Sequence, residues 1–477
     1  MAEEIKYSHG IYLDALISKI ANTTLDTEAK SKICTVISQK IEQIQKKING
    51  YWKLPSGTHR FISVIHSIRR FIETNAPISA VLQLKEEYEA LVCKKCKVLF
   101  LVQEPSCWPS LESVYLVMEA DYRFEVKVVY LPFQHTNKAK ASYADDYNIY
   151  EKMGVPIIRH TDYDLSDDNP DIVFFAKPYD GIPSQFYISA VEKIVDYTVY
   201  IPYGMEINKN LIRYAFQSYL HYRVWKHIVY GPEVKKMGEQ YGYRNGENIV
   251  VWGHPRADYY LEKNKHILNE TWNKKIRGRK VILWCPHHTI KSGPECVSTW
   301  VKWNSDIFEV FRKNPQVVML WRPHPLLLGA IVNNGYMTQE KLEQFIQEKT
   351  EQENIILDRS PDYRNSFFAS DAIITDGTTF CVEYLYTGKP LMLTPQNMDS
   401  FYNYKDMLNG LYIAETTQDI YGFVDTIKNG QDPLLENRRK LCETMLYIPK
   451  GNTTGQNIAD NIFKSLVGDS SKQVIIK

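Results

Sequence analysis

From Lys97 onward, the sequence alternates between short apolar runs, rich in β-branched and aromatic residues, and longer segments with helical spacing. Near-continuous apolar runs are typical of strands buried on both faces of a parallel sheet, because the crossover helices cover those faces. The runs are KVLFLVQ, VKVVYLP, DIVFFAKPY, YTVYIPY, HIVYG and NIVVWGHP, and later KVILWCPHHT, QVVMLWRPHP, NIILDRS, DAIITDG and KPLMLTP. This alternation predicts an α/β fold with two doubly wound domains of the Rossmann type.

The two series of strands are separated by a polar stretch, EKNKHILNETWNKKIRGR, and preceded by segments with apolar residues at three- and four-residue steps. We therefore predict a helical N-terminal region at 1–96, a Rossmann-like domain at 97–265 and a second Rossmann-like domain at 266–477. The segment HRFISVIHSIRRFIE in the helical region carries both basic and apolar residues. It suits peripheral contact with a membrane, a contact in a homo-oligomer, or ordinary packing with a solvated outer face.

The charge balance limits the kinds of partner. The chain has 57 Lys and Arg against 56 Asp and Glu, so it has no global positive field and we expect no nucleic-acid partner. It has neither an apolar stretch of the roughly 20 residues needed to span a membrane nor a signal pattern at its start. These features predict a cytoplasmic protein, with peripheral placement at the inner face of the membrane as the alternative. No carboxylate cluster has metal-ligand spacing, so we expect no metal and no cofactor.

Polar side chains follow three predicted strands of the second domain. In an open parallel sheet, ligands bind beyond the carboxyl ends of the strands, so these side chains are the first candidates for a site. They are His287, His288, Arg322, His324, Asp376, Gly377, Thr378 and Thr379.

The segment after the run AIIT has the features of a phosphate site. A helix start offers unpaired backbone N–H groups and a partial positive charge, and Gly377 would let the backbone approach a ligand closely. The hydroxyls of Thr378 and Thr379 add donors, and Arg322 could fork onto the same diphosphate. The alternative is that Asp376 and Thr378 simply cap the helix, because both residue types are favoured there.

Two further side chains have functional and structural interpretations. Glu383, further along the predicted helix, could bind ribose hydroxyls or be a solvated helix residue. His324 lies between two prolines in RPHP, and this rigid loop would aim its imidazole consistently. It could donate a proton or a hydrogen bond to a leaving phosphate, or it could be a buried histidine bonded to a neighbouring carbonyl.

Three short motifs, in family order, resemble those of the CDP-glycerol glycerophosphotransferases of teichoic-acid and capsule synthesis, which have the two-domain GT-B fold. The family's Thr-Asp-Tyr-Ser-Ser with a following acid resembles TDGTT at 375–379 with Glu383. Its Arg-x-His-Pro resembles RPHP at 322–325, and its Gly-x-Pro-Arg-x-Asp resembles GHPRAD at 253–258. The resemblance covers roughly Lys97 to the end of the chain.

The resemblance implies a role for each motif. Arg322, Thr378 and Thr379, with Gly377 in the turn, would hold the donor diphosphate, and Glu383 would bind the ribose. His324 would assist the departing nucleotide, and a helix end with basic side chains would neutralise charge without a metal. Further site candidates are Asp376, His287 and Arg256.

Two departures from the family pattern leave the acceptor base open. The family's His-Gly-Thr-Pro, whose histidine is proposed as the base, is replaced here by YIPYGMEI, which places Tyr203 before Gly204. The family's Pro-Thr-x-Arg is replaced by PHHT. Tyr203 is a poor base at an ordinary pKa near 10, so the base is Tyr203 itself, His288, another histidine or a carboxylate such as Asp180.

The expected function is therefore that of a CDP-alditol phosphotransferase. It would move a glycerol-phosphate, ribitol-phosphate or related group from a CDP-linked donor to a hydroxyl of a cell-surface glycan or lipid-linked glycan. One alternative is a GT-B glycosyltransferase that uses a nucleotide-sugar donor. The other is a non-catalytic scaffold that kept the fold, which the missing family histidine favours and the converging diphosphate candidates oppose.

Overall fold

The computed structural model describes Thr35 and residues 96–469, except residues 122, 134–142, 207, 262–269, 294–295, 361, 377–378 and 398–408. The helical region predicted at 1–96 therefore lies almost wholly outside the described residues, and so do Gly377 and Thr378. The larger of two compact units comprises Lys97–Val117 and Val126–Asn457 and holds the carboxyl ends of both sheets. In the smaller unit, Arg123 forms an ion pair with Asp460 at 2.8 Å.

The first sheet has seven strands in the order β3-β2-β1-β4-β5-β6-β7. They are β1 Cys96–Val102, β2 Phe124–Tyr130, β3 Ile157–Arg159, β4 Ile172–Phe175, β5 Tyr197–Tyr200, β6 Lys226–Val229 and β7 Ile249–Val251. Pairing is parallel, for example from Val98 opposite Ile172 to Leu101 opposite Phe175. The order reverses direction between β1 and β4, so the switch point of this sheet lies there.

The second sheet has six strands in the order β10-β9-β8-β11-β12-β13, which is the Rossmann order. They are β8 Lys280–Cys285, β9 Val317–Trp321, β10 Ile355–Leu357, β11 Ala372–Thr375, β12 Leu391–Leu393 and β13 Tyr412–Ile413. Its switch point lies between β8 and β11, which pair in parallel from Ala372 opposite Ile282 to Thr375 opposite Cys285. The prediction of two doubly wound sheets is confirmed.

Helices connect the strands. They are α1 Glu112–Ala120, α2 Tyr143–Lys152, α3 Leu165–Asp168, α4 Ile188–Val191, α5 Ile212–Phe216, α6 Tyr219–Arg223, α7 Pro232–Tyr241, α8 Arg256–Leu261, α9 Glu270–Ile276, α10 Trp300–Lys313, α11 Leu327–Asn333, α12 Gln339–Thr350, α13 Arg364–Ala369, α14 Thr379–Glu383, α15 Thr417–Lys428, α16 Leu435–Met445 and α17 Thr454–Asp469. Among the described residues, none of these helices is long and apolar enough to cross a membrane.

Strand β8 shows why the apolar runs are continuous. Ile282 and Trp284 pack into a cluster with helix α10 on one face of the sheet. Val281, Leu283 and Cys285 pack into a second cluster on the other face. Because side chains alternate between the faces and both faces are covered, every position from 281 to 285 is buried.

After α16 the chain returns to the part of the molecule built around the first sheet. The backbone N–H of Tyr447 donates to the carbonyl of Tyr230 at 2.7 Å. The Asp258 carboxylate accepts from the backbone N–H groups of Thr454 at 2.6 Å and Gly455 at 2.8 Å. The sequence GHPRAD thus supplies, through Asp258, the cap for the start of α17. The domain limits at 97–265 and 266–477 remain a prediction.

Candidate functional site

The loop after β8 is tied to the end of β11 at the switch point of the second sheet. The backbone N–H of His287 donates to both oxygens of the Asp376 carboxylate, at 2.8 and 3.1 Å. The backbone N–H of Thr299 donates to the same carboxylate at 3.2 Å. Asp376 therefore organises the loop after β8 through backbone groups, a structural task that the sequence did not distinguish from helix capping.

Asp376 is buried, and burial raises the pKa of its carboxyl group to about 7, although the hydrogen bonds from His287 and Thr299 act in the opposite direction. It lines a cavity of about 520 Å³ together with polar side chains that include Ser298 and Lys302. A buried carboxyl group with a strongly shifted pKa beside a cavity is a common feature of functional sites.

Three histidines come together beyond β8 and β9. The ring centroids of His287 and His288 are 4.3 Å apart, those of His288 and His324 are 4.2 Å apart, and those of His287 and His324 are 5.0 Å apart. The two loops are joined by the backbone, since the N–H of His324 donates to the carbonyl of Pro286 at 3.0 Å. Of the candidates after β8 and β9, the structure thus brings His287, His288 and His324 into one group.

Burial lowers the pKa of two of these imidazoles. The pKa of His288 falls to about 4, and that of His287 falls well below its ordinary value, with His324 and His288 adding to the effect. Nδ1 of His288 is buried and has no hydrogen-bond partner among the described residues. Nδ1 of His287 forms a hydrogen bond of 2.9 Å with the hydroxyl of Thr289. Both rings are therefore neutral at pH 7.

His324 is oriented by its own loop. The backbone N–H of Leu326 donates to Nδ1 of His324 at 3.1 Å. Because Nδ1 acts as the acceptor, the neutral ring carries its proton on Nε2. The RPHP loop thus holds the imidazole of His324 in the tautomer in which Nε2–H is the hydrogen-bond donor.

Arg322 is held by the loop after β10. Its guanidinium forms an ion pair with Asp358 and donates to the hydroxyl of Ser360 at 3.1 Å and the carbonyl of Ser360 at 2.8 Å. These bonds use three of the five N–H donors of the guanidinium. Within the part of the chain that the structure describes, the other two donors have no partner, and the ion pair fixes the orientation of the guanidinium that carries them.

Glu383 lies at the centre of a buried polar network. Its carboxylate accepts from Nη1 of Arg256 at 2.6 Å and from the hydroxyls of Tyr260 at 2.6 Å and Tyr363 at 2.7 Å. The side chain of Glu383 has no exposed surface. The structure thus pairs two predicted site residues, Glu383 and Arg256, with each other, and a ribose could reach Glu383 only if this network opened.

The loop that replaces the family's His-Gly-Thr-Pro reaches the second sheet. The backbone N–H of Met205 donates to the hydroxyl of Thr379 at 3.2 Å, and a Cβ on Gly204 would lie 3.1 Å from the same oxygen. Arg256 also donates to the carbonyl of Tyr203 at 2.6 Å. Tyr203 thus lies beside Thr379, at the start of α14.

Tyr203 itself is poorly suited to act as a base. Its hydroxyl lies 3.1 Å from that of Tyr179, and burial, with a contribution from Tyr179, raises its pKa well above the ordinary value. The phenol therefore keeps its proton at neutral pH, and its chemistry is that of a hydrogen-bond donor or acceptor. Asp180, the carboxylate named as an alternative base, lines a separate cavity of about 540 Å³ with Arg159 and His160.

The sequence analysis missed an ion pair at the switch point of the first sheet. Glu104 follows β1 and Lys177 follows β4, and their side chains form an ion pair. The ammonium of Lys177 lies 4.0 Å from the centre of the Phe133 ring and 5.4 Å from that of the Tyr203 ring. The available signal was position, because both residues follow the central predicted strands in QEP and AKPY.

A family model matches residues 208–464, which is more than half of the chain, and its description is CDP-glycerol:poly(glycerophosphate) glycerophosphotransferase. The match includes the whole second sheet and the motifs at 253–258, 322–325 and 375–383. No curated protein matches the chain by sequence.

Solved structures share the fold at low sequence identity. The Staphylococcus aureus protein MnaA, solved with UDP, is 14% identical, with a TM-score of 0.50, and the alignment covers 78% of this chain and 97% of that one. A UDP-GlcNAc 2-epimerase from Methanocaldococcus jannaschii is 13% identical, with a TM-score of 0.50 and coverages of 77% and 99%. The wall teichoic acid polymerase TagF is 13% identical, with a TM-score of 0.47 and coverages of 89% and 100%.

Proposed function

Because the chain belongs to the CDP-glycerol:poly(glycerophosphate) glycerophosphotransferase family, and is therefore a transferase, we propose that it moves an alditol-phosphate group from a CDP-linked donor to a glycan hydroxyl. The transferred group is glycerol-phosphate, ribitol-phosphate or a relative. The acceptor is a cell-surface glycan such as a teichoic acid or capsule polymer, free or lipid-linked.

The observation that carries this proposal is the meeting of three motifs at the carboxyl edge of the second sheet. The loop 286–289, the loop 322–325 and the segment from Asp376 to Thr379 follow β8, β9 and β11, which are adjacent strands. This edge includes the switch point, where doubly wound sheets bind nucleotides. It offers cationic and N–H donors to a diphosphate, as phosphoryl transfer requires.

In the proposed reaction, the acceptor oxygen attacks the phosphorus that carries the alditol. A new P–O bond forms to the acceptor, and the bond from that phosphorus to the bridging oxygen breaks, so that CMP leaves. Arg322 would bind the diphosphate with Thr379, Gly377 and Thr378. Nε2–H of His324 would donate to the oxygen on which negative charge develops.

The proton of the acceptor hydroxyl must leave as the new bond forms. Because Tyr203 keeps its own proton, we assign it hydrogen bonding to the acceptor rather than removal of that proton. A carboxylate at the edge of the first sheet is the better acceptor of the proton, and Asp180 and Glu104 are two candidates that lie there. The variants Asp180→Asn and Glu104→Gln distinguish them, because only the variant that lacks the base loses turnover by the roughly hundredfold or more typical of general-base catalysis.

Glu383 would bind the ribose only after the CDP-linked donor has entered the site and the network around Glu383 has opened. In that state the carboxylate would exchange its bond with Arg256 or a tyrosine for one with a ribose hydroxyl. A carboxylate offers about four acceptor sites, of which three are in use, so one remains for this exchange once the network opens.

The products decide between phosphotransfer and glycosyl transfer. Purified protein is incubated with CDP-glycerol, CDP-ribitol or a UDP-sugar, each with a glycerol-phosphate oligomer as acceptor, and the released nucleotide is identified. Attack on phosphorus releases CMP, whereas attack on an anomeric carbon releases a nucleoside diphosphate. Release of CMP only with acceptor present supports the proposal, and release of UDP would establish the glycosyltransferase instead. If calorimetry detected no binding of any donor, the chain would be a scaffold.

The helical region at 1–96 is proposed as the part that contacts the membrane or a second copy of the chain. Contact with the membrane would put the chain at its inner face, within reach of a lipid-linked acceptor. Flotation of the full chain and of a form beginning at Cys96 with anionic vesicles tests this, and equal flotation of the two forms would reject it.

A further inference from the structure

The three histidines beyond β8 and β9 form a compact group of nitrogen ligands. Each offers one ring nitrogen, and these three atoms lie within 4.8 Å of one another. Nitrogens around one tetrahedral ion are somewhat closer than this, because each lies about 2.0 to 2.1 Å from the metal. Binding one ion would therefore draw the rings of His287, His288 and His324 closer together.

The backbone that carries the rings is fixed in place. Strands β8 and β9 pair in parallel over five positions, from Lys280 opposite Val317 to Trp284 opposite Trp321. The first loop is then held by the hydrogen bonds from the His287 N–H to Asp376, and the second by the bond from the His324 N–H to the Pro286 carbonyl. The three rings are therefore preorganised by two neighbouring strand ends.

The surroundings of the ring nitrogens bear on metal binding. Imidazole binds a metal through an unprotonated ring nitrogen. Nδ1 of His288 is buried without a hydrogen-bond partner among the described residues, and a bound ion is one way to satisfy such an atom. Thr289 fixes the orientation of the His287 ring, because its hydroxyl lies 2.9 Å from Nδ1 and its backbone N–H donates to Nδ1 at 3.4 Å.

Two contacts oppose metal binding, because the backbone N–H groups of Thr289 and Leu326 donate to Nδ1 of His287 and of His324. Each of these bonds places the proton of its ring on Nε2. Ligation through Nε2 moves that proton and gives up the bond, which costs roughly twofold to tenfold in affinity for each ring. A site with three imidazoles retains tight binding after such a loss.

The ligand set selects the class of metal. Three imidazoles, with no carboxylate or thiolate among the grouped residues, suit Zn²⁺, Co²⁺, Ni²⁺ or Cu²⁺ rather than Mg²⁺ or Ca²⁺, which prefer oxygen. Three protein ligands leave one tetrahedral position for water. We propose that His287, His288 and His324 bind one transition-metal ion of the zinc class. A metal bound to Nε2 of His324 takes the place of the proton on that nitrogen. The metal-loaded chain could therefore not use Nε2–H of His324 as a donor to a phosphate.

The proposal is tested by direct metal binding to the full chain, without nucleotide. Chelator-treated protein is titrated with ZnCl₂ by calorimetry and with CoCl₂ by visible absorption. We expect one ion per chain, with the intense visible bands of tetrahedral Co²⁺. The variants H287A, H288A and H324A should each bind Zn²⁺ at least about tenfold more weakly.

The matched control is H160A, which removes a histidine from the edge of the first sheet and should bind Zn²⁺ as the wild type does. Near-ultraviolet circular dichroism establishes that each variant is folded, and H324Q replaces H324A if the smaller side chain prevents folding. Absence of stoichiometric binding to the folded wild type would overturn the proposal. So would binding that all three variants retain. Because no donor is present, neither result depends on the proposed function.

Discussion

At the scale of single residues, the candidate side chains differ in how many of their polar atoms form hydrogen bonds or ion pairs with other residues of the chain. Glu383 is fully buried and its contacts involve both carboxylate oxygens, whereas the bonds of Arg322 to other described residues, Asp358 and Ser360, use three of its five N–H donors. His324 has its Nδ1 engaged by its own loop, which fixes the tautomer. Binding of a ligand by Glu383 therefore requires its protein contacts to rearrange.

We expect Arg322→Ala to weaken binding of a CDP-linked donor by roughly tenfold to 150-fold. A charge-assisted, forked bond to a diphosphate is worth about 1.5 to 3 kcal/mol, and that bond is lost. The affinity is measured by calorimetry on folded protein. Because the change also leaves the Asp358 carboxylate without its partner, Arg322→Lys serves as a second variant that keeps the charge and loses the fork. Arg312→Ala, on the exposed face of α10, is the control, and equal affinity of all four proteins would remove Arg322 from the site.

We expect His324→Ala to lower turnover by roughly a hundredfold to ten-thousandfold while the donor affinity changes little. A group that donates mainly as the nucleotide departs contributes to the transition state rather than to the bound ground state. Turnover, donor affinity and melting temperature are measured on one preparation of protein freed of metal by a chelator. A purely structural histidine would give the opposite pattern, with a lower melting temperature and normal turnover per folded molecule.

At the scale of secondary-structure elements, every central strand was predictable, whereas two of the four edge strands were not. All eleven apolar runs became strands, because a strand covered on both faces must be apolar at nearly every position. The two strands missed were Ile157–Arg159 and Tyr412–Ile413, which are short and lie at sheet edges. Edge strands bury less surface, so their sequences carry a weaker pattern.

The site was predictable in part for the same reason. The sequence indicates which residues follow which strands, and strand order then groups His287, His288 and His324 at one edge. It does not indicate pairing between distant segments, such as Arg256 with Glu383, which are 127 positions apart. The same limit hid the pairing of Glu104 with Lys177, since each residue alone resembles an ordinary loop charge.

The network around Glu383 joins helices α8 and α14 and the residue that precedes α13. Arg256 begins α8, Glu383 ends α14 and Tyr363 directly precedes α13. We expect Arg256→Ala to lower the free energy of unfolding by about 3 to 5 kcal/mol, because it leaves a buried carboxylate without its charge partner. Urea denaturation at pH 7 measures the loss.

The double variant Arg256→Ala/Glu383→Gln supplies the control for this explanation. If the cost comes from the unpaired charge, neutralising Glu383 in the Arg256→Ala background should recover part of the lost stability. A double variant less stable than Arg256→Ala would show instead that the packing and hydrogen bonds of the two side chains dominate.

At the scale of the whole molecule, the buried histidines predict that the free energy of unfolding falls as the pH is lowered. Burial lowers the pKa of His221 and of His254 to about 3 and that of His227 well below its ordinary value. In the unfolded chain the three rings titrate near pH 6.5. Below that pH the unfolded state binds protons that the folded state does not. The contribution of these rings to stability is therefore constant above about pH 6.5 and falls as the pH drops toward the folded-state pKa values.

We expect each of these rings to steepen the fall of the unfolding free energy by up to about 1.4 kcal/mol per pH unit below pH 6. His227→Phe should remove one such contribution, so the difference in slope between wild type and variant isolates it from the titration of carboxylates. Urea denaturation at several pH values between 7 and 5 gives both slopes. His160→Ala, which changes a less buried ring, should leave the slope nearly unchanged, and parallel curves for His227→Phe and wild type would contradict the explanation.

The return of the chain after α16 means that two covalent crossings, rather than one, connect the parts built around the two sheets. The first crossing follows α8, and the second runs from Met445 to Tyr447, which is hydrogen-bonded to Tyr230. A protease cut between α8 and α9 would divide the chain into two fragments. We expect them to stay associated, because the backbone N–H groups of Thr454 and Gly455 in the second fragment donate to the Asp258 carboxylate in the first. Such a nicked protein should migrate as one species until it is denatured, and the two fragments are promising partners for split-protein complementation.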